Sequence, residues 1–308
     1  MAEPALQELV AAELAEPVEP RVVAMAAALA AEYPGAARVV LFYGSCLRQR
    51  ELDGLMLDFY LIVSDYRDAY GSRWLRFANR LVPPNVFPFE HDGLIAKYAV
   101  LSEADFRREI GAKARSTSVW ARFAQPSRLV WAADDEARQN TIEVVADAAP
   151  TLFQYALPML APGQDASVLD IWRRGFELTY AAELRAERGH RPGSIVDADP
   201  GRYDRFGNAA LARIANLTGV GPNGEVSLVK SPAAMKRWWR QMGRKGKALT
   251  LLRLAKATTT FAGGVDYIAW KINRHAGAGI VVKPWMRRWP ILGALTLLPR
   301  LWRRGAIR

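Results

Sequence analysis

The sequence predicts a mixed α/β (α+β) protein: a sheet-containing first domain, then a helical domain, then a basic amphipathic tail. Apolar runs of strand length, rich in β-branched and aromatic residues, fall between residues 38 and 132. From residue 134 the apolar spacing becomes helical and is interrupted by Pro/Gly breaks. The final segment alternates cations with large apolar side chains. We therefore expect domains at residues 1–132, 133–262 and 263–308.

Local patterns predict the elements of the first domain. The Ala-, Leu- and Glu-rich residues 5–32 predict helices with a break around Pro17 and Pro20. Aromatic and aliphatic residues at helical spacing predict a helix over residues 66–81, which Pro83-Pro84 ends. The expected strands are residues 38–44, 56–64, 86–89, 94–101 and 128–132.

Turn and cap signals separate the later elements. Asp92-Gly93 lies between two apolar runs and predicts a hairpin, because Asp-Gly suits the turn of short hairpins. Ser102 precedes two early acids and predicts the N-cap of a helix. In the second domain the expected helices are residues 134–160, 168–188, 205–217 and 231–260.

Composition restricts the class of protein. The chain has 308 residues, enough for two modest domains with real cores. Its single cysteine, Cys46, excludes an internal disulfide framework and fits a reducing compartment. The acidic N-terminus shows no signal or transit pattern, and no apolar run reaches membrane-spanning length. We therefore expect a cytoplasmic protein. The charge distribution described next adds the expectation that it is peripheral on the inner face of a membrane.

The positive charge is concentrated near the C-terminus. The net charge is +11, and residues 230–308 contain eighteen Lys and Arg with a single acid, Asp266, so the rest of the chain is net acidic. Six of the ten tryptophans lie in the same stretch. Trp favours the lipid headgroup level and cations favour anionic lipid, so an anionic membrane surface is the expected partner. A final helix packed on the core is the alternative. Interleaved aliphatic runs disfavour nucleic acid, which is not expected as a partner.

The strongest candidate site combines two of the apolar runs. Residues 39–45, VVLFYGS, predict a buried strand ending in a Gly44-Ser45 loop, and residues 56–63, MLDFYLIV, predict a strand with Asp58 inside it. Backbone N–H groups of such a loop can approach a phosphate, and a nearby carboxylate can hold the Mg²⁺ that bridges phosphate oxygens. This is the layout of polymerase-β-like nucleotidyltransferases. The alternative is a hairpin in which Asp58 caps a neighbouring turn.

Two cations within apolar runs are candidates to neutralise a triphosphate. Lys97 lies in the strand after the hairpin turn; a Lys facing solvent from an edge strand is the alternative. Arg122 lies between apolar neighbours and can bind phosphates with its planar fork or form a structural ion pair. Helix-cap, loop and turn positions are expected for the remaining carboxylates near these runs: Asp65, Asp53, Glu90 and Asp92. A metal role for Asp65, Glu90 or Asp92 is the alternative.

These motifs together resemble the mitochondrial-type phosphatidate cytidylyltransferases, the translocator assembly and maintenance family of the nucleotidyltransferase superfamily. The family motifs Tyr-Gly-Ser and Met-Leu/Ile-Asp-Phe match residues 43–45 and 56–59. Lys-Tyr-Gly-Val after a glycine turn is similar to residues 93–100, with Ala99 replacing Gly. Gly-Arg-Leu-x-Lys-Pro is similar to residues 121–126, where the Gly and the Lys are absent. A weaker similarity covers residues 245–274.

The resemblance implies transfer of CMP from CTP to phosphatidate, giving CDP-diacylglycerol and pyrophosphate, with Mg²⁺ as cofactor. It implies a nucleotidyltransferase domain, a winged-helix-like helical domain and a membrane-associating C-terminus. It also implies catalytic roles for Asp58, Lys97 and Arg122, with the metal on Asp58. The nucleotide would contact Tyr43, Gly44, Ser45, Lys97 and Arg122.

Two other functions stay open on the sequence. One is a nucleotidyltransferase of the same fold that uses a different acceptor, including RNA. The other is a non-catalytic protein that binds anionic lipid and keeps the fold. The second is favoured by the absence of an Asp-x-Asp pair, since Met56 and Tyr60 occupy the positions two residues from Asp58.

Overall fold

The computed structural model describes residues 5–48, 51–160, 166–183, 192–218, 231–260 and 281–288. These residues form a mixed α/β structure around one five-stranded mixed sheet, with strand order β3-β4-β2-β1-β5. β2 and β4 are parallel, and the other neighbouring strands are antiparallel. The strands are β1 Ala37–Tyr43, β2 Met56–Val63, β3 Asn85–His91, β4 Leu94–Ser102 and β5 Ser127–Ala132.

Helices precede, interrupt and follow the sheet. Within the described ranges, no helix is both long enough and apolar enough to cross a membrane. The helices of the sheet-containing part are α1 Leu6–Leu14, α2 Pro20–Ala31, α3 Tyr66–Ala69, α4 Arg73–Leu81, α5 Glu103–Ile110 and α6 Ser118–Phe123. Those that follow are α7 Asp135–Ala146, α8 Ala148–Ala156, α9 Val168–Ala182, α10 Pro192–Asp197, α11 Pro200–Thr218, α12 Pro232–Thr260 and α13 Pro284–Arg288.

The hairpin and helix-cap predictions are confirmed, whereas Glu90, predicted at the turn, lies within β3. Asp92 and Gly93 both have positive φ, 47° and 73°, as a two-residue hairpin turn between β3 and β4 requires. The Ser102 Oγ accepts a hydrogen bond from the Asp105 N–H at the start of α5. Asp65 caps α3 by accepting from the Arg67 N–H.

The prediction of one helix over residues 66–81 is wrong in its continuity. The chain forms α3 and α4 instead, separated at residues 70–72 around Gly71. Glycine weakens a helix because it has the most backbone freedom to lose. Because of the break, the apolar residues of this segment do not share one buried face: Tyr70 is buried, whereas Trp74 is more than half exposed.

Both faces of the sheet are covered by apolar cores. Val40, Phe42, Phe59 and Leu61 face a core shared with α2. The alternating residues face the opposite way, into a larger core that includes α1, α5 to α9 and α11; they include Leu41, Tyr43, Tyr60, Ile62 and Leu101. The helices after residue 132 therefore pack on the sheet.

A buried ion pair joins the first helix of the described chain to α11. The Arg202 guanidinium on α11 makes a two-pronged contact with the Glu13 carboxylate on α1, and Arg202 Nη2 lies 2.9 Å from Oε1. Its guanidinium carbon also lies 4.2 Å from the centre of the Phe206 ring. A buried ion pair must be well bonded to offset desolvation, which this one is. We expect it to fix α1 against the later helices.

Two of the tryptophans counted with the basic stretch belong to the core. Trp239 is buried and donates from Nε1 to the Tyr155 carbonyl oxygen at 3.0 Å. The Trp238 ring stacks on the Tyr155 ring with centroids 4.0 Å apart. These two rings pack inside the protein, which corrects their assignment to a membrane-facing stretch. Most of the predicted tail, residues 263–280 and 289–308, lies outside the described residues.

Candidate functional site

Tyr43, Asp58 and Lys97 lie side by side across three neighbouring strands. Strand register pairs Tyr43 with Asp58 across β1 and β2, and Asp58 with Lys97 across β2 and β4. Because side chains alternate along a strand, all three share the face that carries Tyr60 and the larger core. Sequence positions up to 54 residues apart are thus brought together by pairing alone.

The Asp58 carboxylate and the Lys97 ammonium form an ion pair. Lys97 Nζ lies 3.0 Å from Asp58 Oδ1, and the two side chains are 31% and 20% exposed. Each keeps enough exposure for a ligand to reach it. β4 lies between β3 and β2, so Lys97 is on an internal strand and not on an edge strand. The carboxylate inside β2 therefore has a partner, as burial requires.

Gly44 fits closely against Asp58. It has φ of +97°, a conformation that side-chain-bearing residues rarely adopt. A Cβ placed on Gly44 would lie 3.2 Å from Asp58 Oδ2. The loop thus needs glycine both for its backbone angle and for its approach to the carboxylate. The exposed Ser45 follows and opens a short 3-10 helix, Ser45–Arg48.

Arg122 reaches this cluster from α6. Its guanidinium carbon lies 4.6 Å from the centre of the Tyr43 ring, which is cation–π distance. Burial opposes the charge, but the oxygens of Tyr43, Tyr60 and Asp58 outweigh it and raise the pKa of Arg122. Burial and the Asp58 carboxylate in turn hold the pKa of the Tyr43 phenol well above its usual value. The cluster therefore holds a permanent cation above a neutral phenol ring.

Two charged residues beyond the sequence candidates also approach Tyr60. Burial raises the pKa of the Tyr60 phenol, and the charges of Arg122, Arg253 and Glu183 act on the same oxygen. Glu183 follows α9 and accepts a hydrogen bond from the Thr117 hydroxyl at 3.1 Å. Neither residue was among the candidates predicted from the sequence. Arg253 lies in an apolar run of α12, which is the same signal that singled out Arg122.

Arg253 ties α12 to the helix that carries Arg122. Its guanidinium donates to the Oγ of Ser118, the first residue of α6, at 3.0 Å and to the Oγ of Ser116, just before that helix, at 3.3 Å. It also donates to the Pro83 carbonyl oxygen at 2.8 Å. Ser118 lies one turn before Arg122. The contact thus fixes the end of the short helix from which Arg122 projects.

Cys46 is not placed for nucleophilic chemistry. The thiol is buried and lies 3.6 Å from the Met56 carbonyl oxygen, to which it donates. Burial, followed by the negative charge of Asp58, raises the pKa of the Cys46 thiol. A buried, protonated thiol is a poor nucleophile.

The side chains of the cluster offer few ligands for Mg²⁺. Among the described residues, no three His, Cys, Asp or Glu side chains come together as a metal-binding group. Mg²⁺ commonly uses one or two carboxylates and completes its shell with water and substrate phosphates. Asp58 can supply one such carboxylate. The cluster therefore fits an ion that arrives with a phosphorylated ligand, with Asp58 as its protein ligand.

The remaining candidates lie away from this cluster. Asp53 forms an exposed ion pair with Arg21 at 2.9 Å, and Arg21 also donates to the Asp92 carbonyl oxygen. Asp65 caps α3. A cavity of about 150 Å³ lies further along β2, between α5 and α7, and is lined by Ile62, Glu103, Phe106 and Asn140 among others. It contacts none of the residues around Asp58.

The geometry thus unites five of the residues selected from the sequence: Tyr43, Gly44, Asp58, Lys97 and Arg122. The cluster offers one carboxylate and two cations on a partly open sheet face. Such an arrangement can bind a polyphosphate and a divalent cation. Comparison of the sequence with protein-family models and with curated proteins gave no match.

Proposed function

We propose that this protein is a CTP:phosphatidate cytidylyltransferase, a nucleotidyltransferase that forms CDP-diacylglycerol and releases pyrophosphate. One observation carries the proposal: residues from all four motifs of the family resemblance meet at a single cluster on the sheet. Tyr43 and Gly44 come from the first motif, Asp58 from the second, Lys97 from the third and Arg122 from the fourth. In this proposal the sheet-containing part is a polymerase-β-like domain and the later helices are the winged-helix-like domain.

The proposed reaction is an in-line displacement at the α-phosphorus of CTP. A phosphate oxygen of phosphatidate forms the new P–O bond, and the bond to pyrophosphate breaks with its electron pair on the leaving oxygen. The nucleophile is already anionic, so no general base is needed. The chain's task is to hold two polyanions in line and to offset the charge that develops on the leaving group.

Each residue of the cluster has a role in this proposal. Lys97 leaves the Asp58 carboxylate and binds phosphate oxygens instead. Arg122, held on the Tyr43 ring, donates to phosphate oxygens from its planar guanidinium. The Gly44-Ser45 backbone approaches the triphosphate where no Cβ obstructs it. When bound, Mg²⁺ on Asp58 would polarise the phosphate oxygens.

The test is turnover of α-labelled CTP with phosphatidate vesicles and Mg²⁺, followed by organic extraction of labelled CDP-diacylglycerol. ATP, GTP and UTP serve as competing nucleotides. Asp58→Asn keeps the shape of the side chain and should lower turnover by orders of magnitude. Asp53→Asn is the matched control, because its carboxylate lies in an exposed loop. Equal turnover by Asp58→Asn and the native chain would overturn the metal assignment.

A non-catalytic lipid-binding protein is the second candidate. Two observations favour it. The Asp58 carboxylate already has Lys97 as its counter-ion. In the described ranges, no three His, Cys, Asp or Glu side chains come together to hold a metal ion. Vesicle binding without turnover of any nucleotide would select this candidate. Turnover of CTP only with a different acceptor would select another member of the nucleotidyltransferase superfamily.

A further inference from the structure

Helix α4 carries its largest apolar side chains on the outside. Trp74, Phe77 and Leu81 are 53%, 57% and 60% exposed. Their spacing of three and four residues places them on one face of the helix. The Trp74 and Phe77 rings lie 6.2 Å apart, so the face is continuous over at least a turn. Contiguous exposed apolar surface of this kind marks an interaction site.

The opposite face of α4 is held to the sheet by polar bonds. Asn79 is fully buried, donates to the Val100 carbonyl oxygen at 3.0 Å and accepts from the Asn85 N–H. Asn85 donates in return to the Leu75 carbonyl oxygen at 3.2 Å. These bonds fix the rotation of the helix about its axis. The outward position of Trp74 and its neighbours is therefore built into the fold.

Arginines flank the apolar face. α4 contains three arginines and no acid. Each arginine immediately precedes one of the three exposed apolar residues: Arg73, Arg76 and Arg80. Arg76 is turned toward the Tyr70 carbonyl oxygen at 2.6 Å, and Arg80 lies 3.6 Å from the exposed Asp65. An exposed ion pair of that kind is worth little, so an anionic surface can compete for Arg80.

A second cationic helix is attached where α4 ends. Lys256 on α12 donates to the Val82 and Pro84 carbonyl oxygens, and Arg253 donates to that of Pro83. α12 contains no acid, and Leu252 beside Arg253 is 53% exposed. The segment that follows α4 is thus held to an acid-free helix that carries an exposed apolar side chain.

We propose that the outward face of α4, formed by Trp74, Phe77 and Leu81 with Arg73 and Arg80, docks on anionic lipid bilayers. The charge selects this occupant: an apolar stripe beside arginines, on a helix that itself contains no acid, matches the interface of an anionic bilayer. The inference rests on the proposed function, because the proposed substrate, phosphatidate, lies in a membrane. Its test uses phosphatidylglycerol, which is not the proposed substrate, so the two can fail separately.

The test places an environment-sensitive fluorophore on the helix in the full-length chain. Phe77→Cys is labelled in a Cys46→Ser background, which leaves a single thiol. Val23→Cys, at an exposed position of α2, is the matched control. On vesicles of phosphatidylcholine with phosphatidylglycerol, the label at position 77 should shift to the blue and become accessible to lipid-borne quenchers. The label at position 23 should not change, and pure phosphatidylcholine should have a much weaker effect.

Binding variants provide the second readout. Arg73→Gln and Arg80→Gln should each reduce vesicle affinity about fivefold at low salt, as expected for one cation at an anionic surface. Trp74→Ser combined with Phe77→Ser should reduce it about tenfold or more at any salt concentration. Val23→Ser and Arg138→Gln, on exposed positions of other helices, should leave it unchanged.

Three results would overturn the proposal. The first is that the protein floats with vesicles while the label at position 77 stays in water, which would assign the contact to another segment. It could fail to bind anionic vesicles at all. Alternatively, the label could be blue-shifted without lipid in a concentration-dependent way, which would identify a second copy of the chain as the occupant. Loss of CTP turnover alone bears only on the proposed reaction.

Discussion

Lys97 and Asp58 are direct partners across parallel strands β2 and β4, with Nζ 3.0 Å from Oδ1. Each is therefore the counter-ion of the other before any ligand binds. A polyphosphate and a divalent cation would replace both partners at once: the cation takes the carboxylate, and phosphate oxygens take the ammonium. This exchange of partners makes the effect of each substitution predictable.

Lys97→Met should strengthen divalent cation binding and weaken catalysis. Without the ammonium, Asp58 no longer has a competing counter-ion, so the affinity for Mn²⁺ in the absence of nucleotide should rise. Turnover of CTP should fall by about a hundredfold, because a cation that offsets phosphate charge is lost. Mn²⁺ affinity is measured by electron paramagnetic resonance. Lys113→Met, at an exposed position, is the control. Unchanged or weaker Mn²⁺ binding in Lys97→Met would contradict the exchange.

Gly44→Ala should damage the site more than it damages the fold. Both Gly44 and Gly35 have positive φ, +97° and +73°, so Ala at either position is strained by about 1 kcal/mol. Only at Gly44 would the new Cβ press on Asp58 Oδ2, whereas nothing lies within 4 Å of a Cβ at Gly35. The two variants should therefore unfold at similar denaturant concentrations while only Gly44→Ala loses turnover. Equal activity in both would show that the carboxylate tolerates displacement.

Arg122→Leu should raise the KM for CTP and leave vesicle binding nearly unchanged. The guanidinium stacks on Tyr43 and lies within the field of Asp58, where a fixed cation favours phosphate. Arg122→Lys should recover part of the effect, since it restores charge without the planar fork. Arg107→Leu, on the exposed side of α5, is the control. If Arg122→Leu unfolds at 25 °C while Arg122→Lys remains folded and has native KM, the residue is structural.

Lys256 should make stability rise with pH above neutrality. Burial, and then the neighbouring charge of Arg253, lowers the pKa of Lys256 to about 7. Between that value and the usual pKa near 10.5, the unfolded chain holds a proton that the folded chain lacks. The free energy of unfolding should then increase by up to about 1.4 kcal/mol per pH unit in this window. Urea titrations of the native chain, Lys256→Met and the exposed control Lys236→Met measure this. A slope that persists in Lys256→Met would assign it to other groups.

The strands and the hairpin were predictable because their signals are local. The apolar runs at 39–45 and 56–63 contain their own boundaries, and Asp92-Gly93 specifies its turn through its backbone angles. The pairing of Asp58 with Lys97 was not predictable from the sequence, since it depends on which strands become neighbours. That choice is made by packing across the whole sheet.

The helices show where local signals mislead. Apolar spacing in residues 66–81 predicted a helix without indicating where its apolar face points, and Asn79 holds α4 with that face outward. Trp238 and Trp239 were counted with a membrane-facing stretch, yet both pack against Tyr155. In each case the periodicity of apolar residues identifies an apolar helix face but not what that face contacts. Only the tertiary arrangement decides whether an apolar face meets protein or another phase.

The straight row of Tyr43, Asp58 and Lys97 also restricts how the chain can vary in length. Side-chain direction alternates with every residue of a strand, so one residue inserted into β4 before Lys97 would turn the ammonium to the other side of the sheet. An insertion in the connection between β1 and β2 has no such effect, because pairing resets the register after it. Length changes in homologous chains should therefore be confined to the loops around this row.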